Sequence, residues 1–459
     1  MYYASDQQIE MWDHAQKVST EFWNFLVHKA IDGNIDLDIL KESLKTILKN
    51  NSGLRTTFTK KGSILYQIIH DNLKVEQVLT VLRIRAGSKT SFNNFIRSYT
   101  EKKLKFRFDY ENDYLFKISL VYFNNTSYII LLINHIICDY ESIKIFWKEL
   151  ISTYNQLYSG NLPTLMNKRQ YFQYSSEINN EKVTPEFEYY INYWKEKIEN
   201  INKQFNWPLK NEFRSTIISS HEVSLDQEKI TALKLLTFKN RVIYSSSLLA
   251  AYFLLIHIYS NQKKITIFNI FNFRDTGIKI NKQTFGLFAD TLLNNIEISD
   301  DDTILMLLKK VDLEIRESFE NGKVPFRQIF NQYQTLFNYT YPYFQADFNY
   351  IKLNDHPEKF GDLNTFKDKD DIISKKFFEM FNLRQYSLID ATNSLDMISD
   401  VSLSIKEESD NATIKIAILN NNKTKCIEMT ETFIAIINFS IANPNNSIKE
   451  LVHNLSIIK

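Results

Sequence analysis

The chain has 459 residues, 44% hydrophobic and 24% charged, enough for a large core and two or three domains. With 55 basic and 54 acidic side chains the net charge is +1, which argues against a global field for nucleic acid or an anionic membrane. Two cysteines without paired spacing, Cys138 and Cys426, speak against a disulfide framework and suit a reducing cytoplasm, and no apolar stretch reaches membrane-spanning length.

In chain order, Ser5 is placed to cap a first helix carrying Ile9, Met11 and Trp12. A second helix follows Asp38, with Leu40, Leu44, Ile47 and Leu48 on one face, and N-N-S-G at 50–53 stops it. R-T-T-F at 55–58 and the strand 64–69 read as a hairpin across Lys61, Gly62 and Ser63. Residues 91–104 read as a helix. Strands over 115–123 and 128–133 make another hairpin across Asn124 and Asn125.

The second arm of that hairpin is the apolar run 129–133, the signature of a fully buried strand. It ends in Asn134-His135, with Asp139 four residues after the histidine. From Ile143 the spacing turns helical, placing Phe146, Trp147, Leu150, Tyr154 and Leu157 on one face before Gly160 stops it. A histidine thus sits where a buried strand hands over to an amphipathic helix, the kind of place where α/β sheets put chemistry. Two plainer readings stand beside this one. Asp139 is well placed as the helix N-cap, and a histidine after an apolar strand also serves as an ordinary core residue.

From about Thr184 the chain begins again. Residues 188–201 form an aromatic-rich helix containing Tyr193 and Trp194, 245–259 a buried helix, and 264–273 a strand ending at Arg274-Asp275. G-L-F-A-D-T-L-L-N-N lies within 285–298, 301–319 is a helix with acidic residues in its first turn, and Val324-Pro325-Phe326 opens another. Residues 343–350 alternate like a strand, 352–376 read as a polar, exposed connection, and 401–405 pairs with 412–418 around Asp410-Asn411. A helix over 424–441 closes the chain. No P-loop, dinucleotide-binding glycine pattern or serine-hydrolase elbow is present, and the eight histidines are scattered, with no metal-site spacing.

N-H-I-I-C-D-Y at 134–140 is similar to an H-H-x-x-x-D-G signature. It stands within an ordered series of short motifs. Ser5 and Gln8 with Met11-Trp12 come first, then L-R-T-T-F at 54–58, Phe108-Asp109, Tyr193-Trp194 and Phe273-Arg274. G-L-F-A-D-T-L at 286–292, Val324-Pro325-Phe326, Phe344-Gln345 and D-V-S-L at 400–403 follow. The series resembles the condensation domains of nonribosomal peptide synthetases, in the chloramphenicol acetyltransferase-like superfamily, from residue 5 to the C-terminus.

The resemblance implies an α/β (α+β) fold of two chloramphenicol acetyltransferase-like lobes in a V with a central tunnel. Residues 1–175 would form the lobe carrying the histidine motif, and 176–459 the second lobe, with a crossover segment back to the first. It implies His135 as the general base or nucleophile-positioning group, a role imidazole suits because it titrates near working pH. Asn134 and Asp139 would be structural, Asp139 pairing with Arg274 from the other lobe. Tyr140 replaces the final glycine of the signature and is a tunnel-lining candidate; the first position is not aspartate, which sets the heterocyclising branch aside.

The expected function is a free-standing, cytoplasmic, monomeric condensation enzyme. It would join an acyl or aminoacyl thioester, delivered on the phosphopantetheine of a carrier protein, to an amine or hydroxyl acceptor, with no bound cofactor, metal, nucleic acid or membrane. The alternatives are an acyl-CoA-dependent acyltransferase of the same superfamily and a catalytically silent platform that recruits carriers or tailoring enzymes.

Overall fold

The computed structural model describes residues 1–459 except 18, 72, 86, 165–166, 201–218, 275–281, 333–344, 353–358, 361, 367–398, 409–410, 419–421 and 459. The chain divides into two compact units. One comprises Met1–Thr184, Asn272–Ala289 and His356–Arg384; the other comprises Pro185–Phe271, Asp290–Asp355 and Gln385–Lys459.

The first unit is built on a six-stranded sheet. Its order is Lys359–Phe360, Leu363–Phe366, Asn24–Asp32, Thr126–Asn134, Phe116–Phe123 and Leu79–Ile84. The strand Thr126–Asn134 is central, antiparallel to both neighbours, with Ile133 opposite Phe25 on one side and Phe116 on the other. Every residue from Ile129 to Ile133 is buried, which is why that stretch is apolar without alternation. Asn124 takes a left-handed conformation (φ 52°) in the turn that feeds this strand, a geometry asparagine tolerates. Ser5 and Gln8 form a reciprocal cap: Gln8 N donates to Ser5 Oγ at 3.2 Å and Ser5 N to Gln8 Oε1 at 3.1 Å. The helix expected after Asp38 begins at Leu37 and runs to Asn50; Asp36 caps it, its Oδ1 accepting from the amides of Asp38 and Ile39.

The second unit has its own six-stranded sheet, ordered Ala289–Glu297, Lys264–Asn272, Ala346–Lys352, Val401–Glu407, Asn411–Ile418 and Ser219–Asp226. Ala346–Lys352 runs parallel to both its neighbours, and the last three strands are antiparallel. One face is covered by the helices Tyr244–Ser260, Ile304–Glu320 and Lys423–Ala442, whose apolar residues join Leu403, Ile405, Ile414 and Ile416 in one core. Tyr244–Ser260 is buried almost throughout, and no single helix among the described residues is long and apolar enough to cross a membrane.

The structure departs from several of the expected elements. The acidic residues at 300–302 precede the helix Ile304–Glu320, which Thr303 caps through the amide of Met306. A further helix, Ile448–Ile458, follows Lys423–Ala442 and closes the described chain. Where an exposed connection was expected, Leu363–Phe366 forms a strand paired with Asn24–Asp32; most of 352–376, with Phe344, Asp275 and Asp410, lies outside the described residues. Arg274, expected from the second lobe, lies in Asn272–Ala289, which belongs to the first unit.

Candidate active site

The site grows from the end of the central strand. Strand Thr126–Asn134 ends in a single 3-10 turn, His135–Ile137, before the helix Tyr140–Tyr158 begins. Asn134 caps that turn, and all its hydrogen-bonding capacity is used. Its Oδ1 accepts from Ile136 N at 3.2 Å and from the Tyr110 hydroxyl at 2.9 Å; its Nδ2 donates to Thr20 O and Asn24 Oδ1, both at 2.9 Å. Burial raises the Tyr110 hydroxyl far above the usual phenol range, so it stays a proton donor to Asn134. Gln8 reaches the same turn, its Nε2 donating to Ile136 O at 3.2 Å. Every polar atom of the Asn134 side chain is therefore satisfied.

His135 is half-buried. Its Nδ1 lies 2.5 Å from the Cys138 carbonyl oxygen. A carbonyl can only accept, so Nδ1 carries the proton and, in the neutral ring, Nε2 carries the basic lone pair. Phe25 and Trp23 flank the imidazole, with ring centroids 4.5 and 5.9 Å away. Cys138 itself is buried and its thiol is pushed well up by that burial, so the residue contributes its carbonyl and not a thiolate.

Asp139 caps the following helix, its Oδ1 accepting from Ser142 N at 2.8 Å. Its Oδ2 accepts from Arg274 Nη1 at 2.5 Å and from Phe288 N at 3.0 Å. Burial would raise this carboxyl, but the Arg274 guanidinium and the two amides outweigh it and hold the group below its ordinary value. The cap and the ion pair are one arrangement. Arg274 is buried too; its Nη2 donates to Ser142 Oγ at 2.7 Å and to the Gly286 and Thr284 carbonyls, and its guanidinium lies 4.5 Å over the Phe288 ring.

Three more residues matter here: Gly286, met in the sequence only as the head of a motif, and Ser142 and Tyr171, which the sequence did not single out. Ser142 Oγ donates to Gly286 O at 2.6 Å and accepts from Gly286 N at 2.9 Å, joining the helix to the Arg274 segment. A Cβ on Gly286 would lie 2.0 Å from Cδ2 of Tyr171, so only glycine fits. Tyr171 donates its hydroxyl to Leu287 O at 2.5 Å, and the same hydroxyl oxygen lies 2.8 Å from Ser5 Oγ. A signal did exist for Gly286: it is one of only nine glycines and heads the G-L-F-A-D-T-L stretch. Tyr140 opens the helix, half-buried, with the Lys144 ammonium 5.1 Å over its ring.

A family model described as Condensation domain matches residues 1–455. The chain belongs to the condensation domain family. This condensation domain is 24% identical over 313 residues to gramicidin S synthase 2 of Aneurinibacillus migulanus, covering 66% of this chain and 6% of that protein. Against chondramide synthase cmdD of Chondromyces crocatus it is 24% identical over 315 residues, 65% of this chain and 8% of the relative. The chain thus spans a small fraction of the length of the curated relatives it matches.

Among solved structures, the condensation domain from Monacolin K polyketide synthase MokA superimposes with a TM-score of 0.77 at 14% identity, covering 97% of this chain and 98% of that one. The starter condensation domain of rhizomide synthetase RzmA gives 0.74 at 13%, covering 97% and 98%. The X-domain of teicoplanin biosynthesis, solved in complex with OxyB, gives 0.76 at 16%, covering 98% and 95%. These likenesses are of fold, the mixed helix and sheet chloramphenicol acetyltransferase-like fold expected above. The domain is of the nonribosomal peptide synthetase type, a class that forms amide bonds and works with carrier domains.

Proposed function

We propose that this condensation domain is catalytically active. In this reading it joins an acyl or aminoacyl thioester, held on the phosphopantetheine of a carrier protein, to an amine (or hydroxyl) acceptor in the cytoplasm. The observation that carries the reading is the Nδ1 contact of His135 with the Cys138 carbonyl, which fixes the tautomer and leaves Nε2 as the base.

The nucleophile's proton goes to Nε2 as its nitrogen attacks the thioester carbonyl carbon. The imidazolium so formed keeps its Nδ1–H on the Cys138 carbonyl. Collapse of the tetrahedral intermediate breaks the C–S bond, and the departing thiolate takes the proton from Nε2. Asp139 and Arg274 take no part in these transfers; they hold the turn that aims His135.

A second reading, a silent recruitment platform, draws on two departures from the signature, Asn134 in its first position and Tyr140 in its last. The test is intact-protein mass spectrometry of an acyl-loaded carrier with a panel of amines, with and without this protein. Protein-dependent amide product supports condensation. Turnover of acyl-CoA with no carrier points instead to the acyltransferase reading, and carrier binding without turnover of either donor to the platform.

A further inference from the structure

A cleft of about 640 Å³ opens in the first unit among the end of the helix Leu37–Asn50, the 3-10 turn Ser52–Arg55, the strand Ile64–Ile69 and the start of the helix Tyr171–Glu181. None of the residues that hold His135 or Asp139 lines it. Its wall is rich in donors and poor in acceptors. Arg55 donates Nε to Leu48 O at 2.7 Å and Nη1 to the His70 carbonyl, which fixes the guanidinium while its other terminal nitrogen has no acceptor among the described residues. The side chains of Lys49, Asn50 and Asn167 and the hydroxyl of Ser52 also have no hydrogen-bond or ion-pair partner among the described residues.

Two further polar side chains of the wall, Lys168 and Gln170, are already engaged, while the hydroxyl of Tyr2 has no hydrogen-bond partner among the described residues. Lys168 is tied to Glu149, and Gln170 bonds Ser52 N, Asn50 O and Lys168 O. The nearest carboxylate to Arg55, Asp71, stands 3.7 Å away with its side chain 94% exposed, so water screens most of its effect. Two cations, Lys49 and Arg55, and four neutral side chains, Asn50, Asn167, Ser52 and Tyr2, are left lining the space. A carboxylate has two oxygens for such a wall; a phosphate monoester has three and a second charge, and a guanidinium with an ammonium is the pairing that such a group favours. The cleft is also far larger than a phosphate ion, with room for the organic group attached to it.

We propose that this cleft binds the phosphate of a small organic phosphomonoester through Lys49 and Arg55, with Ser52, Asn50 and Asn167 as neutral donors. The site stands whether or not the chain condenses anything at His135.

The test is isothermal titration of the whole chain at low ionic strength with glycerol 3-phosphate, against glycerol and citrate. The phosphomonoester should bind and glycerol should not. Lys49→Gln should weaken binding about tenfold, as expected for loss of a charged hydrogen-bond partner. Asn167→Asp, an exposed position where folding is not at stake, should abolish it by placing an anion in the wall. No binding, binding indifferent to both substitutions in variants that melt like wild type, or citrate bound more tightly than the phosphomonoester would overturn the assignment.

Discussion

Asp139 and Arg274 meet at 2.5 Å across 135 residues of sequence, both buried, and the same carboxylate caps the helix that follows the His135 turn. One side chain therefore serves a local and a long-range purpose. Ser142 completes the joint, because its hydroxyl bonds both Arg274 and the backbone of Gly286. The turn that presents His135 is thereby clamped from its C-terminal side, as Asn134 clamps it from the N-terminal side.

Breaking that pair should cost stability first. Asp139→Ala or Arg274→Ala leaves a buried charge without its partner, a loss of roughly 3–5 kcal/mol. Urea or thermal unfolding should show it as a lower midpoint and a reduced yield of folded protein. A variant that melts like wild type but has no activity would mean that the residue acts in the chemistry.

Gly286→Ala should destabilise the first unit by overpacking, about 1–3 kcal/mol, since the new methyl would run into the Tyr171 ring. Thermal melting reads it directly. An unchanged midpoint would show that the Tyr171 ring gives way easily.

Acid should unfold the protein from a higher pH than its carboxylates alone require. His14 is buried between Phe22 and Trp23, and burial, then the charge of Lys17, push its imidazole down to about 3 from 6.5. The unfolded chain binds this proton below 6.5 and the folded chain does not. The contribution is therefore whole above pH 6.5 and is lost as pH falls towards 3, about 5 kcal/mol at most. Asp139, with its lowered value, adds a loss of the same sign below the ordinary carboxylate range. Urea midpoints between pH 7 and 4 should fall steeply for wild type and more gently for His14→Phe. Equal slopes would remove His14 from the account.

Much of the fold and site is legible in the sequence because its causes are short-range. The run 129–133 is apolar because its strand is central and covered; Ser5 with Gln8, and Asp139 with Ser142, are caps closed within three residues. What the sequence hides depends on distant partners. The bond from Ser142 to Gly286 spans 144 residues, and nothing near Ser142 announces it. The strand Asn24–Asp32 is hard to read because His28 and Lys29 interrupt its pattern. In the fold, His28 stacks on Tyr128 at 6.3 Å and the Lys29 ammonium lies 5.5 Å over Trp147, so aromatic rings accommodate polar side chains on that strand.

The central claim is that His135 moves the proton, and single-turnover kinetics of amide formation on a loaded carrier test it most directly. His135→Ala should slow the step by about 10²–10⁴-fold, the usual contribution of a general base, while the unfolding midpoint stays near that of wild type. A loss of less than about tenfold in a folded variant would contradict the claim.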